Sequence, residues 1–375
     1  MKKLLYITNA RIPTEKAHGI QIMKMCEAFS KAGAKVELVV PKRKNPITTD
    51  PFEYYSVEKN FSIKKLFNFD IRFLGPLRFY LQLLSFSLSA LFFVIKSDAD
   101  YIYSRTEFLL FFLSFFKKNL YWEMHTKSNK KMSLAVARRV KKVVAISNGL
   151  KQYLIENGIQ EDKILVAHDG VDLAEFDISE SKEELREELE LPKDKKIIGY
   201  VGKMSGVGES KGVEGIIEAF SLLHKKNINV FLMLVGANDD EREGLRVLLK
   251  KYNIGEEKCA LIGHVLHAQI PKYLKAADVL VMNYSSSDHF FSPLKLFEYM
   301  ASGTMIVTSD MPNIREVLNE NNAVLVEPDN PESLVEGINK LLNDLELSGK
   351  ISKQTFEDVQ KYSWQKRAGR ILNFM

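Results

Sequence analysis

Short runs of aliphatic and β-branched residues alternate with longer stretches of helical period along the whole chain, and this alternation constrains the fold more than any single motif. In the first half, residues 3–8, 35–40, 101–103, 120–122, 143–146 and 164–167 read as strands. In the second half, residues 196–201, 230–235, 260–262, 279–282, 305–308 and 323–326 repeat the theme, each followed by a helical stretch. The pattern is that of an α/β protein, with parallel sheets covered by helices. A chain of 375 residues is too long for one comfortable core, so two doubly wound domains are expected. The segment 177–195, rich in Glu and Lys and poor in large apolar residues, reads as the hinge. The expected division is therefore 1–176 and 177–359, with a C-terminal helix over 360–375 packing back on the first domain. Local signals agree. Gly33 ends a helix near 20–31, and Asn330-Pro331-Glu332 supplies a cap, a proline at the first helical position and an acidic first turn.

The charge is divided. Residues 1–150 carry 26 Lys and Arg against 11 Asp and Glu, a net +15, whereas residues 151–375 carry 27 against 37, a net −10. The first half thus faces something anionic, or carries a scatter of solvated lysines. Two distant cysteines, Cys26 and Cys259, support neither a disulfide framework nor a zinc site, and they fit a reducing cytoplasm. The N-terminus turns polar at Thr8-Asn9, too soon for a signal peptide, and reads as a first strand. The apolar stretch 79–95 is shorter than a membrane span needs, and Gln82, Ser85, Ser87 and Ser89 interrupt it. A buried or interfacial helix is expected there, with most of its residues in the core.

Familiar nucleotide fingerprints are missing. Residues 9–19 contain no Gly-x-Gly-x-x-Gly, and Gly206-Val207-Gly208-Glu209-Ser210-Lys211-Gly212 lacks the order of a P-loop. That second segment still places Lys203 and Lys211 on a glycine-rich turn between a strand and a helix opening near Gly212. Such a turn serves as a diphosphate clamp or as a solvated loop. Residues 292–307 form a second candidate: a loop opening a helix that ends at Gly303 and runs into a strand. Backbone N–H groups around Pro293–Lys295 would favour an anionic ligand there. Glu298 sits one turn inside on a largely apolar helix, where an unpaired carboxylate is costly, and two ribose hydroxyls would satisfy it.

Taken in order, Tyr200-Val201-Gly202-Lys203, Lys211-Gly212-Val213, Ile217-Glu218-Ala219-Phe220, Leu234-Val235-Gly236 and Ser292 to Gly303 resemble the donor-binding half of retaining B-type glycosyltransferases, family 4. The first half is similar too, in His18-Gly19, Glu123-Met124-His125, Ile146-Ser147 and Asp169-Gly170-Val171-Asp172 with Phe176. The resemblance covers nearly the whole chain. It implies the GT-B architecture, two Rossmann-like domains facing across a cleft, with a UDP- or GDP-sugar held by the second domain and an acceptor by the first. By the same resemblance, Lys203 and Lys211 stand at the basic diphosphate pair, and Gly202, Gly236, Ser292, Pro293, Leu294, Lys295 and Glu298 stand at the donor. Gly19 lets the backbone approach the diphosphate, and His125 orients sugar or acceptor. Two departures stand out. Phe290 occupies the place of the first Glu of the Glu-x7-Glu motif, for which Asp288 or His289 are the nearby substitutes, and the turn between the two lysines is about three residues longer than usual.

The reaction implied is a metal-independent transfer with retention, in which protein cations stabilise the charge that collects on the leaving diphosphate, so neither cofactor nor metal is expected. On the acceptor side, His18, Arg105, Arg138 and Arg139 are the candidates. The run 117–142 holds nine cations against one acid, on an expected helix over 129–142 that suits an anionic membrane face or a lipid diphosphate. The expected role is assembly of a cell-surface polysaccharide or glycan at the inner membrane face. A non-catalytic nucleotide-sugar-binding subunit and a nucleotide-sugar epimerase are the alternatives, and nucleic acid is excluded for want of a matching motif.

Overall fold

A computed structural model of the chain describes residues 1–69, 77–127, 130–204, 212–226, 228–285 and 292–375. It divides into two units, each built on one parallel sheet. The first holds Met1–Gly170, Ser292 and Trp364–Met375, and the second holds the remaining described residues between Val171 and Ser363. The division falls at Gly170/Val171, ahead of the hinge expected at 177.

In the first unit, β1 (Lys3–Ile7), β2 (Lys35–Pro41), β3 (Ser62–Leu66), β4 (Tyr101–Ser104), β5 (Leu120–Met124), β6 (Lys142–Ala145) and β7 (Ile164–Val166) lie in the order β3-β2-β1-β4-β5-β6-β7. The central strands are buried on both faces, as continuous apolar runs require in a sheet covered by helices. Each fully buried Leu, Ile or Phe there contributes roughly 1.5–3 kcal/mol. β3 was not legible in the sequence. It is an edge strand whose Ser62, Lys64 and Lys65 are exposed, so it carries no apolar run. The helix expected over 129–142 is shorter, Lys130–Arg139, because Lys142 already belongs to β6. Lys141 and Lys142 therefore do not share a helical face with Arg138 and Arg139.

In the second unit, β8 (Lys196–Val201), β9 (Val230–Ala237), β10 (Cys259–Gly263), β11 (Val279–Met282), β12 (Met305–Ser309) and β13 (Val324–Val326) lie in the order β10-β9-β8-β11-β12-β13. β12 is followed by turns and not by the helix expected there. Asn330 caps the Pro331–Asn343 helix through the Ser333 amide, as its Asn-Pro-Glu start implied. A buried ion pair, Arg186 to Asp278 at 2.6 Å, ties the Lys182–Glu188 helix to the start of β11, and the same carboxylate accepts the Ile197 amide.

Candidate active site

Open parallel sheets bind ligands beyond the carboxyl ends of their strands, where the strand order reverses. In the first unit that point lies between β1 and β4. Arg105 follows β4, His18 and Gly19 open the Ala17–Lys31 helix, and β5 delivers Glu123 with His125 just beyond its end. Arg105 and His125 meet around Glu123, whose side chain is fully buried, and His18 lies close enough to both to feel the Arg105 and His125 charges. Gln21 Nε2 donates to Glu123 Oε1 at 2.5 Å and the Tyr6 hydroxyl donates to Oε2 at 3.3 Å. Arg105 Nη1 donates to Gln21 Oε1 at 2.5 Å. Arg367, from the Trp364–Phe374 helix, donates Nη2 to Glu123 Oε1 at 2.6 Å and Nε to the His168 carbonyl at 2.8 Å. His125 Nε2 lies 3.1 Å from Glu123 Oε1, off the line of a hydrogen bond.

The electrostatics follow from burial and from the two arginines. Burial alone would raise the Glu123 carboxyl, but Arg367, His125 and Arg105 together hold it well below the ordinary carboxylate range. Asp169, 3.9 Å from Arg367, is raised because burial outweighs the attraction of that arginine. Burial and the Arg105 charge lower His125 against the pull of Glu123 and Asp169. Burial, then Arg105 and Lys16, push His18 down to about 4. Both imidazoles are thus neutral at pH 7 and present one donor and one acceptor each. Glu123 is a locked anion that orients its neighbours and is not placed to shuttle protons.

Two expectations for this unit change. A Cβ on Gly19 would meet Tyr55 Oη at 2.2 Å and Thr14 Cγ2 at 2.7 Å, so the space beside this glycine is filled by the unit's own Tyr55. The Tyr55 hydroxyl in turn accepts the Thr14 amide and donates to the Thr14 carbonyl. Arg138 and Arg139 close the helix that leads back to the start of β6, at the amino edge of the sheet and away from Arg105 and His125. Arg138 donates to the Asn157 carbonyl, and Arg139 lies over the Phe111 and Phe115 rings. The Asp98-Ala99-Asp100 triplet sits at that same amino edge before β4. Its carboxylates take the Lys3 ammonium and the Lys3 amide.

In the second unit the strand order reverses between β8 and β11. Three chain segments converge there. Gly212, at φ +71°, opens the Val213–Lys225 helix, and a Cβ on it would lie 1.8 Å from the Asn283 carbonyl oxygen. Asn283, just past β11, donates Nδ2 to the Gly212 carbonyl at 3.1 Å. Gly236, at φ +111°, passes so close to Gly202 that a Cβ would lie 2.6 Å from its carbonyl oxygen. Pro293 precedes the Leu294–Ala301 helix, Ser292 Oγ accepts the Asp169 amide within the first unit, and Lys295 Nζ donates to the Tyr200 hydroxyl at 2.5 Å. Lys203, beside Gly202, is exposed, and its carbonyl accepts from that same hydroxyl at 2.8 Å. Lys211, Asp288, His289 and Phe290 lie outside the described residues.

Glu298 finds a partner that the sequence did not suggest. His267, from the turn after β10, meets Glu298 Oε1 through Nε2 at 2.9 Å, while its Nδ1 lies 3.7 Å from Glu175 Oε2. All three side chains are about one-sixth exposed, so the carboxylate reaches solvent as well as the imidazole. The next residue, Tyr299, is buried and bonds both the amide and the carbonyl of Val201, which fixes this helix against the end of β8. Nothing near His267 marks it in the sequence. Arg367 leaves one trace, a charged residue at i+3 from Trp364 on the apolar face that continues with Ala368 and Ile371.

Residues 19–175 match the family model for Glycosyltransferase Family 4, and residues 181–358 match that for Glycosyl transferases group 1. The chain is 30% identical over 240 residues to the uncharacterized glycosyltransferase MJ1607 of Methanocaldococcus jannaschii, covering 62% of this chain and 58% of that protein. It is 25% identical over 233 residues to the capsular polysaccharide biosynthesis glycosyltransferase CapM of Staphylococcus aureus, covering 60% and 58%. The matched segments thus span less than two thirds of these relatives. Among solved structures, sucrose-phosphate synthase from Thermosynechococcus elongatus superimposes with a TM-score of 0.80 at 20% identity, over 100% of this chain and 98% of that one. Anabaena Alr3699/HepE, in complex with UDP and glucose, superimposes with a TM-score of 0.77 at 18% identity, over 100% and 99%. Both likenesses show the GT-B fold.

Proposed function

This chain belongs to the glycosyltransferases of family 4 and group 1, and from that premise we propose that it moves a sugar from a UDP- or GDP-sugar to a glycan or lipid-linked acceptor in cell-surface polysaccharide synthesis. The observation that carries the reading is the convergence of Gly202, Gly212, Gly236 and Asn283 at the reversal point of the second sheet, one helix away from Glu298. A diphosphate needs backbone donors at close range, and only glycines let the chain come that near. The second unit holds the donor. Lys203 is assigned to its diphosphate, with Lys211 beside it by the family resemblance, Gly202, Gly236 and the segment Pro293–Lys295 line it, and Glu298 accepts from the ribose hydroxyls with one carboxylate oxygen while His267 holds the other.

The chemistry rests on where charge develops. As the anomeric bond breaks, negative charge grows on the leaving diphosphate, and cations and amides aimed there stabilise the transition state more than the bound donor. Those groups take the part a divalent metal would play, and the leaving phosphate takes the acceptor proton on the same face, which gives retention. In the first unit, neutral His125 and His18 with Arg105 orient the acceptor. Support for a neutral His125 is its burial beside Arg105. The acceptor is presented at an anionic membrane face, which the first unit meets from the cytoplasm. No described helix is long and apolar enough to cross a membrane.

Thermal shift with a panel of UDP- and GDP-sugars tests donor binding, since a ligand at 100 times its Kd stabilises by ~2.7 kcal/mol. Transfer to acceptor extracts with and without EDTA, with NMR of the anomeric proton, then tests metal independence and retention. Binding without any turnover would leave the non-catalytic reading, and conversion of the donor sugar alone would leave the epimerase.

A further inference from the structure

The Leu77–Ile95 helix of the first unit has its polarity turned inside out. From Phe79 to Ile95 it contains no charged residue, and its polar side chains face inward: Gln82, Ser85 and Ser87 are buried. Tyr80, Leu84, Leu88, Phe92 and Ile95 face outward, exposed by 66, 45, 49, 66 and 43%. Their spacing of four, four, four and three places them on one stripe along the helix. An ordinary surface helix does the reverse. The inward polar groups have structural work: Ser85 Oγ accepts the Phe69 amide and donates to the Gln82 carbonyl, and that carbonyl also accepts from Asn68. The apolar surface extends past the helix. Phe67 and Phe69, stacked edge to face, are more than half exposed beside it. Phe112, Phe115 and Phe116 are exposed on the next helix and its turn, which Lys117 joins to the first through the Ser97 carbonyl.

We propose that this stripe is a membrane-docking face that seats the first unit on an anionic bilayer, with the helix lying in the plane of the interface. The occupant follows from the charges around it. Exposed Lys64 and Lys65 on β3, Lys96 at the helix end, Lys118, and Arg139 over the Phe111 and Phe115 rings border the apolar residues with cations. Apolar side chains entering the acyl boundary with Lys and Arg at the phosphate level is the arrangement of an interfacial helix. The bordering cations are part of the +15 of residues 1–150, and the stripe is the interfacial side of a helix whose other side, with Phe86, Ala90 and Val94, is core. The inference deepens the membrane step of the proposed function and is independent of donor chemistry.

The test is sedimentation of the full chain with vesicles of phosphatidylcholine alone or with phosphatidylglycerol, together with a fluorescent reporter, Leu88→Trp. The wild type is expected to sediment with the anionic vesicles, less so at high salt, and the reporter emission is expected to shift to the blue. Leu88→Gln with Phe92→Gln is expected to raise the lipid concentration for half-binding at least tenfold, with an unchanged unfolding midpoint because both positions are exposed. Equal sedimentation of the double variant, or no blue shift, overturns the proposal. A wild-type dimer in ultracentrifugation that the double variant dissociates also overturns it, since a second copy would then cover the stripe. Nucleotide-sugar thermal shifts on the same samples keep a failure here distinct from a failure of the donor site.

Discussion

Replacing Arg367 by Met should unfold the first unit at a much lower urea concentration, and the size of the effect follows from what Arg367 touches. Its guanidinium is almost fully buried and bonds the fully buried Glu123 and the His168 carbonyl. Removing one member of a buried pair leaves the other desolvated and costs about 3–5 kcal/mol. Gln21 and Tyr6 still bond Glu123 in the variant, so the loss belongs at the lower end, about 3 kcal/mol. With a urea slope of about 2 kcal/mol/M, the midpoint falls by about 1.5 M. Tryptophan fluorescence reads this unit alone, because the chain's two tryptophans, Trp122 and Trp364, both belong to it. The pH dependence supplies a second check. The Glu123 carboxyl is held below its ordinary range in the folded wild type, so its contribution is present above that range and is lost only below it, as pH falls through the depressed folded value. Without Arg367, burial raises that carboxyl, and protonation relieves the variant as pH falls. The gap between wild type and variant should therefore narrow from pH 7 toward pH 4. A midpoint shift under about 0.5 M at pH 7, roughly 1 kcal/mol by the same slope, or a gap that does not change with pH, would refute this account of the cluster.

Other outcomes follow from the same geometry. Glu298→Ala is expected to weaken nucleotide-sugar binding by roughly 10- to 100-fold, the value of a hydrogen bond to a charged group, and calorimetry with an unchanged Kd would remove Glu298 from the donor site. Gly212→Ala forces a Cβ into the Asn283 carbonyl and should lower donor affinity more than Gly244→Ala, which meets nothing within 4 Å. Gly19→Ala should destabilise the first unit by about 1–3 kcal/mol through overpacking against Tyr55, and urea unfolding of the Gly19→Ala/Tyr55→Leu pair should recover part of the loss. His18 should titrate in NMR near pH 4. Because that value lies below the unfolded one, its contribution to stability is full above about pH 6.5 and declines as pH falls toward 4.

How far the chain could be read depended on whether a signal was local. Among the described residues, twelve of the thirteen strands, all but β3, carry apolar runs that began or ended within about two residues of where the sequence placed them. Edge strand β3 is the exception, because it has no apolar run at all. Glycines were legible as glycines but not for their reasons: Gly212 serves a close approach to Asn283, whereas Gly19 makes room for Tyr55.

Composition, periodicity and motif order were enough to determine two parallel α/β units and the family, because helix and strand periods and turn residues act over a few neighbours. Which side chains meet was decided by the tertiary fold alone. Glu123 and Arg367 stand 244 positions apart, and Glu298 meets His267 across 31 residues from different elements. The outward face of the 77–95 helix was equally hidden, since by the usual rule its few polar side chains would mark the solvent side. Only the packing of Gln82 and Ser85 toward Asn68 and Phe69 turned its leucines and aromatics outward.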